Sequence, residues 1–246
     1  MRSAKEERAA IVDHFYGMIY KEYLYGDSTQ SKGIQYFGRA VEKFWKNRDL
    51  GSNVSEELKR TLELGGGSGE HLAFVKEFPI LEYTSLDLRV PKDDTYLKKL
   101  DPKFKSVIKF VRGDAEKLDL ESGHYDRIVI TCLLHHVSDP LAVLLEAKRV
   151  LRTGGELSIV LPCDPGFLNQ LVKRFISYPQ LRKLSAVRPE LFYALEHRNH
   201  IGSLLEQVKF VFKGDLLEFH YRPFYLKTWN LNLLVVCHIT KSDIEN

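Results

Sequence analysis

The stretch Glu63-Leu64-Gly65-Gly66-Gly67-Ser68-Gly69 constrains this chain more than any other. It stands where the apolar run Thr61-Leu62-Glu63-Leu64 gives way to helical sequence beginning near Glu70. Read as Glu-x-Gly-x-Gly-x-Gly, it describes a strand turning sharply into a helix with no side chains at the bend. Glycine reaches positive φ and lets a ligand press directly on the backbone. The amides of such a turn, and of the helix start behind it, favour a carboxylate or phosphate. The segment is therefore read as a docking place for a small molecule.

The sequence downstream narrows the reading. After a helical stretch, His71 to Phe78, a second apolar run from Ile80 to Leu86 ends at Asp87. That acid lies 22 residues beyond Gly65, near the spacing at which a carboxylate closing the second strand meets a ribose in nucleotide-binding α/β folds. A third run, Val107 to Val111, leads into Gly113-Asp114-Ala115-Glu116. A fourth, Tyr125 to Thr131, leads into Cys132-Leu133-Leu134-His135-His136-Val137. Four successive strand ends thus deliver small or polar residues to one edge, where open parallel sheets bind their ligands. A dinucleotide fold is the rival reading, but its glycines are spaced Gly-x-Gly-x-x-Gly, and here the third falls one residue early.

Taken together, these blocks resemble the class I S-adenosylmethionine-dependent methyltransferases. The resemblance runs motif by motif from about Arg60 to Pro162 and elsewhere holds only in general architecture. It implies S-adenosyl-L-methionine as cofactor, held at its methionine end by the turn at Glu63, Gly65, Gly66, Gly67 and Gly69. It implies Asp87 on the ribose with Leu88 beside the adenine, and Asp114 and Ala115, with Glu116, as adenine readers. The segment Tyr125 to His136 is similar to the family's fourth-strand block and implies Thr131, Leu133 and His136 near the reacting methyl. The run Ala147 to Leu157 looks like the family's exit from the fourth helix into the fifth strand. The implied fold is α/β: a Rossmann-like, seven-stranded, mostly parallel sheet with an antiparallel carboxyl-terminal strand and helices on both faces.

At 246 residues, the chain fits one domain with additions. The expected boundaries are a single methyltransferase domain over 1–246, with a helical amino-terminal cap at 1–57 and a helical insertion at 167–207 over the acceptor pocket. The cap is rich in aromatics (Phe15, Tyr16, Tyr20, Tyr23, Tyr25), and Gly26 to Gly33 within it has the composition of a loop. The longest apolar stretch, Leu231 to Ile239, is interrupted by Asn232 and His238, so no segment is expected to span a bilayer. No charged-then-apolar leader opens the chain, and the cytoplasm is the expected location. Cys132, Cys163 and Cys237 have neither metal-ligand nor disulfide spacing, and no metal site is expected. A net charge of +3 is too slight to argue for nucleic acid.

Alternation of strands and helices implies parallel pairing with right-handed crossovers. A helix is expected over Leu141 to Leu151, a fifth strand over Glu156 to Leu161, and a closing pair of strands over Phe212 to Tyr221 and Leu231 to Thr240. Pro162 and Pro165 mark a stop between the fifth strand and the insertion. The insertion carries Leu168, Leu171, Val172, Phe175 and Tyr178 at helical spacing, with an excess of Lys and Arg. It reads either as a solvated amphipathic pair or as a substrate lid, and 167–188 also suits peripheral contact with an anionic membrane.

Methyl transfer from a sulfonium is an in-line displacement in which positioning carries much of the rate. A base is needed only where the acceptor must lose a proton, and histidine is the residue for that. His136 and His200 are the candidates here. The expected function is methyl transfer to an oxygen or nitrogen of a small-molecule acceptor, including anionic, sugar-linked or lipid-linked ones, in biosynthesis. The alternatives are a non-catalytic S-adenosylmethionine-binding scaffold and a nucleic-acid or protein methyltransferase. The amino-methylating nucleic-acid enzymes carry an Asn/Asp-Pro-Pro-aromatic block after the fourth strand, which Thr131-Cys132-Leu133-Leu134 does not match, so no nucleic-acid partner is expected.

Overall fold

The computed structural model describes residues 8, 10–14, 41, 59–67, 69–75, 80–90, 102–184 and 188–243. Most of the expected cap at 1–57 lies outside the described residues. The rest is built on one seven-stranded sheet. Its strands are β1 (Lys59–Leu64), β2 (Ile80–Asp87), β3 (Ile108–Arg112), β4 (Tyr125–Thr131), β5 (Leu151–Pro162), β6 (Leu216–Arg222) and β7 (Leu234–Thr240).

The spatial order is β3-β2-β1-β4-β5-β7-β6. Strands β1 to β5 pair in parallel, and β7 runs antiparallel between β5 and β6. The chain winds outward from β1 to β3 and then returns past β1 to β4. The crevice between the ends of β1 and β4 is therefore the topological switch point at which such sheets take a ligand.

The central strands are buried on both faces, apolar on one and partly polar on the other, where Thr61, Glu63 and Arg127 lie. Leu62 and Leu64 of β1 and Ile128 and Ile130 of β4 are fully buried. They share one core with α1 (Pro140–Val150) through Val143, Leu144, Ala147 and Val150. Helix α1 starts where the sequence provides a start: Asp139 accepts a hydrogen bond from the Ala142 amide at 3.1 Å, with Pro140 in the first turn. At its other end the Lys241 ammonium donates to the carbonyls of Lys148 (2.8 Å) and Leu151 (2.7 Å), satisfying acceptors that a helix end leaves open.

The segment after β5 is helical. Helix α2 (Phe167–Val172) passes through one wider π-type turn, Lys173–Ser177, into α3 (Tyr178–Leu184); α4 (Pro189–Glu196) and α5 (Ile201–Val211) follow. Helix α5 returns to the main core with Ile201, Leu204, Leu205, Val208 and Val211.

Three boundaries differ from expectation. The helix expected over 71–78 is a single tight turn, Glu70–Phe74, among the described residues. Strand β5 begins at Leu151 rather than Glu156: Leu151 already pairs with Tyr125, and Gly154, at φ +69°, absorbs the register shift that follows. The closing strands are shorter than the apolar runs suggested, because 212–215 completes the end of α5 and the loop 223–233 separates β6 from β7.

Leu144 lies wholly inside the α1–sheet interface. Leu144→Ala should cost roughly 2–5 kcal/mol, read in a urea titration as a lower midpoint at unchanged slope.

Candidate functional site

Each parallel strand delivers its terminal residues to the same edge. At the end of β1, Gly65 and Gly67 have φ of +72° and +51°, so the bend is a turn that only glycine enters without strain. A Cβ on Gly65 would stand 2.9 Å from a Leu133 methyl, and one on Gly66 would stand 2.4 Å from Ser85 Oγ. Gly69 faces Ile108 and Phe110, where a Cβ would meet Ile108 at 3.0 Å. Gly66 and Gly69 thus serve packing beneath the turn, while Gly65 and Gly67 form its half-exposed rim.

One expectation is corrected here. The Gly65 and Gly66 amides donate to the Leu86 carbonyl, Gly69 donates to the Gly66 carbonyl, and Gly67 donates to Asp87 Oδ2 at 3.1 Å. These four amides are engaged within the chain, so they are not an open anion cradle. What the turn presents to a ligand is bare backbone surface.

Glu63 is buried under the bend, its Oε2 accepting a hydrogen bond from the Tyr83 hydroxyl at 2.7 Å. Its side chain supports the turn from below. Asp87 accepts from the Gly67 amide on one oxygen and from the Arg89 amide (2.9 Å) on the other. A carboxylate carries about four acceptor positions, so both oxygens keep capacity for a pair of vicinal hydroxyls. Leu88 beside it is 63% exposed, an apolar surface with room for a flat ring.

Asp114 is exposed after β3 and turns one oxygen onto the Glu116 amide (2.9 Å). Ala115 is buried in the core. Glu116 departs from its expected place. Its Oε1 accepts from the amides of Ser138 (2.7 Å) and Asp139 (3.0 Å), which ties this loop to the start of α1 rather than to a ligand. Thr131, at the end of β4, has a buried hydroxyl oxygen without a protein partner.

Beyond β4 and β5 lies a second group. The rings of His135 and His136 are 3.9 Å apart, and His197, from the end of α4, stands 4.5 and 5.1 Å from them. His197 Nδ1 lies 2.8 Å from Asp164 Oδ2. Lys173 binds the same carboxylate oxygen, and Gln170 Nε2 donates to the other at 3.0 Å. The segment 196–199 is clamped over the β4 loop. The Arg198 amide donates to the His135 carbonyl (2.9 Å), and the Asn199 side chain donates to the carbonyls of Leu134 (3.0 Å) and Val137 (2.8 Å). His136 Nδ1 meets the Glu196 carbonyl at 3.2 Å.

These contacts set the protonation states. Burial lowers His135 well below the ordinary imidazole range, and burial with the neighbouring His197 pushes His136 down to about 3. Burial also lowers His197, against the opposing pull of Asp164. Burial alone would raise Asp164, but hydrogen bonds from His197 and Lys173 outweigh it and hold the carboxyl at about 2. The cluster is therefore three neutral imidazoles beside one carboxylate and one buried ammonium. Because an ionised carboxylate only accepts, His197 carries its proton on Nδ1 and presents a bare Nε2.

His200, by contrast, is exposed at the start of α5 and is not in the cluster. The third imidazole of the cluster is His197, which the sequence reading did not single out. Asp164 and Lys173 were not anticipated, although Asp164 closes a strand as Asp87 does. No metal site was expected either, yet the ligand atoms of His135, His136 and His197 lie within 4.8 Å of one another and could together hold an ion.

Two ion pairs cross the same edge. Arg8 binds the Leu195 carbonyl (2.9 Å) and Glu196 (3.3 Å), and Arg89 binds Asp13 (2.5 Å). Arg8 and Asp13 thus link their segment to the end of α4 and to the residues just after β2.

Residues 62–159 match the family described as "Methyltransferase domain". Over that stretch the chain is similar to a methyltransferase domain, in line with the resemblance carried by its strand-end motifs. Among its relatives, the mitochondrial 2-methoxy-6-polyprenyl-1,4-benzoquinol methylase of Caenorhabditis elegans is 26% identical over 159 residues, covering 63% of this chain and 53% of the relative. The ubiquinone/menaquinone biosynthesis C-methyltransferase UbiE of Vibrio vulnificus is 26% identical over 171 residues, covering 67% and 62%. The chain thus spans between half and two thirds of the length of these relatives. In fold it is similar to the Haemonchus contortus phosphoethanolamine N-methyltransferase 2 bound to S-adenosyl-L-methionine, with a TM-score of 0.61 at 15% identity over 93% of this chain and 57% of that one. A Thermotoga maritima methyltransferase gives 0.55 at 17% identity, over 93% and 99%.

Methyltransferases of this kind use S-adenosylmethionine, and the residues of this chain fit it. The side-chain-free rim of Gly65 and Gly67, the spare acceptor capacity of Asp87 and the Thr131 hydroxyl, unpartnered among the described residues, stand at the ends of three neighbouring strands, β1, β2 and β4. Asp87→Ala should weaken cofactor affinity in calorimetry by at least about tenfold. Unchanged affinity would remove Asp87 from the cofactor site.

Proposed function

We propose that this chain methylates a small-molecule acceptor that carries an ionisable hydroxyl, with His197 as the proton acceptor and Asp164 as its partner. The observation that carries the reading is the neutral His197 imidazole, held by the Asp164 carboxylate at 2.8 Å beside the two histidines that follow β4.

When bound, S-adenosylmethionine supplies a methyl group already activated by a sulfonium charge. The chain then has to hold the acceptor in line and take its proton. Nε2 of His197 receives the hydroxyl proton. The resulting imidazolium keeps its Nδ1–H on Asp164, whose negative charge stabilises it. Lys173 and Gln170 hold the carboxylate so that it cannot turn away. With that proton gone, the oxygen would have an electron pair free to accept the methyl group that the sulfonium supplies, the carbon–sulfur pair leaving with the sulfur.

The same proton loss serves two outcomes: methylation of that oxygen, or of a carbon that the oxygen activates in a phenol or enol. The quinol methylase and C-methyltransferase names of the relatives support such an acceptor. A nitrogen acceptor is the less favoured outcome, because a neutral amine needs no base before attack. An exposed, basic insertion supports acceptors with a lipid or phosphate tail.

His197→Ala should lower kcat by about 100-fold or more at unchanged cofactor affinity, whereas His200→Ala should stay within about twofold of the native rate. The sign of the pH dependence follows from the lowered His197: the base is neutral at and above neutrality, so the acid limb of kcat/KM lies below the ordinary imidazole value of 6.5. That limb should vanish in His197→Ala. A native profile that already falls at neutral pH, or a fully active His197→Ala, would overturn the assignment.

A further inference from the structure

The chain concentrates exposed apolar surface in one place. Among the described residues, fourteen large apolar side chains stand exposed, and eight of them lie in just two segments. Phe167, Leu171, Phe175 and Ile176 lie on α2 and its π-type continuation, with Phe167 61% and Phe175 68% exposed. Phe224, Tyr225, Leu226 and Leu231 lie on the loop between β6 and β7. The segments adjoin: the Leu168 amide donates to the Asn230 carbonyl at 2.9 Å, and a Cβ on Gly166 would meet the Trp229 carbonyl at 2.8 Å.

The helix has two sides with different tasks. Gln170 and Lys173 turn inward onto Asp164, while Phe167, Leu171 and Phe175, four residues apart, turn outward. Such i, i+4, i+8 spacing makes one stripe. Charge surrounds it with a single sign. Residues 167–188 hold five Lys or Arg and no Asp or Glu, and residues 222–231 hold two and none. Of these, Arg174, Lys183 and Arg188 are exposed, and Arg182 is exposed in a pair with Glu190. The Arg222 guanidinium lies over the Tyr225 ring at 4.2 Å.

We propose that this face docks on an anionic lipid bilayer, with α2 lying in the interface and the 223–231 loop dipping beside it. An amphipathic helix with aromatics on one side and Lys and Arg around it binds in this way, through buried apolar area plus attraction to acidic headgroups. A second copy of the chain is a poorer occupant. Pairing the face with itself would bring two sets of cations together with no acid between them, and like charges at an interface repel. No helix is long and apolar enough to cross a membrane among the described residues, so the contact is made by a face and not by a span. Because α2 carries Asp164's partners on its inner side, docking sets the His197 cluster next to the lipid surface. Membrane binding itself does not depend on the methyl-transfer reading.

The test is co-sedimentation of the full chain with vesicles of phosphatidylcholine containing about one quarter phosphatidylglycerol, beside vesicles of phosphatidylcholine alone. At about 0.1 M salt the native chain should sediment with the anionic vesicles and much less with the neutral ones, and the difference should shrink at about 0.5 M. Phe167→Ser with Phe175→Ser should lower the partition coefficient by at least about tenfold. Arg174→Glu with Lys183→Glu should do the same only where the lipid is anionic. Both double variants should keep the native melt and native S-adenosylmethionine affinity, which shows that the folded chain was tested. Failure of the native chain to sediment with anionic vesicles, or variants that sediment equally, would overturn the proposal. So would a concentration-dependent dimer that the Phe variants abolish while vesicle binding is absent, since a second copy would then cover the face. Loss of vesicle binding leaves turnover on a soluble acceptor untouched, so the two readings fail separately.

Discussion

The Asp164 carboxylate is the contact on which the site's geometry depends. It follows β5 and collects Lys173 and Gln170 from the helix behind it and His197 from the end of α4. One side chain thereby fixes the insertion to the end of the sheet. A buried carboxylate with three donors is stable where a bare one is not, and removing any donor leaves charge uncompensated. The backbone joins in, with the Ile201 amide donating to the Asp164 carbonyl at 3.0 Å, so α5 starts from the same point. Because β5 is set by six neighbouring register pairs with β4, the position of His197 is inherited from the sheet.

The cofactor half is built differently. It uses backbone and few side chains: a turn of glycines packed against Leu133, Ser85 and Ile108, with its amides already bonded inside the chain. Asp87 takes part in that framework through the Gly67 amide and still has acceptor capacity left for a ligand. The two halves meet after β4, where Leu133 packs on the glycine turn and His135 and His136 face the insertion. A cofactor lying along the first half would therefore point its reactive end at the second.

The sheet was legible in the sequence because its strands are short apolar-rich runs that end in small or acidic residues, a pattern that burial and ligand access both require. The seven-stranded, mostly parallel sheet and its antiparallel closing strand appear as expected. Local signals failed where long-range contacts decide. His197 and His200 are equivalent by composition and spacing; the docking of Arg198 and Asn199 on carbonyls of the β4 loop turns the first inward and leaves the second at a helix start. Glu116 looked like an adenine reader because it follows Asp114-Ala115, but two amides more than twenty residues away claim it. Asp164 was hidden by the prolines around it, which read as a stop. The rule that strand ends carry ligands would have found it.

The most direct test of this account is the position of S-adenosylhomocysteine in a crystal of the chain. The structure predicts both ribose hydroxyls on Asp87, the amino-acid end against Gly65 and Gly67, and the sulfur directed toward the space between Leu133 and the His136–His197 pair. A product bound elsewhere, or lying in the crevice with its sulfur turned away from those imidazoles, would contradict it.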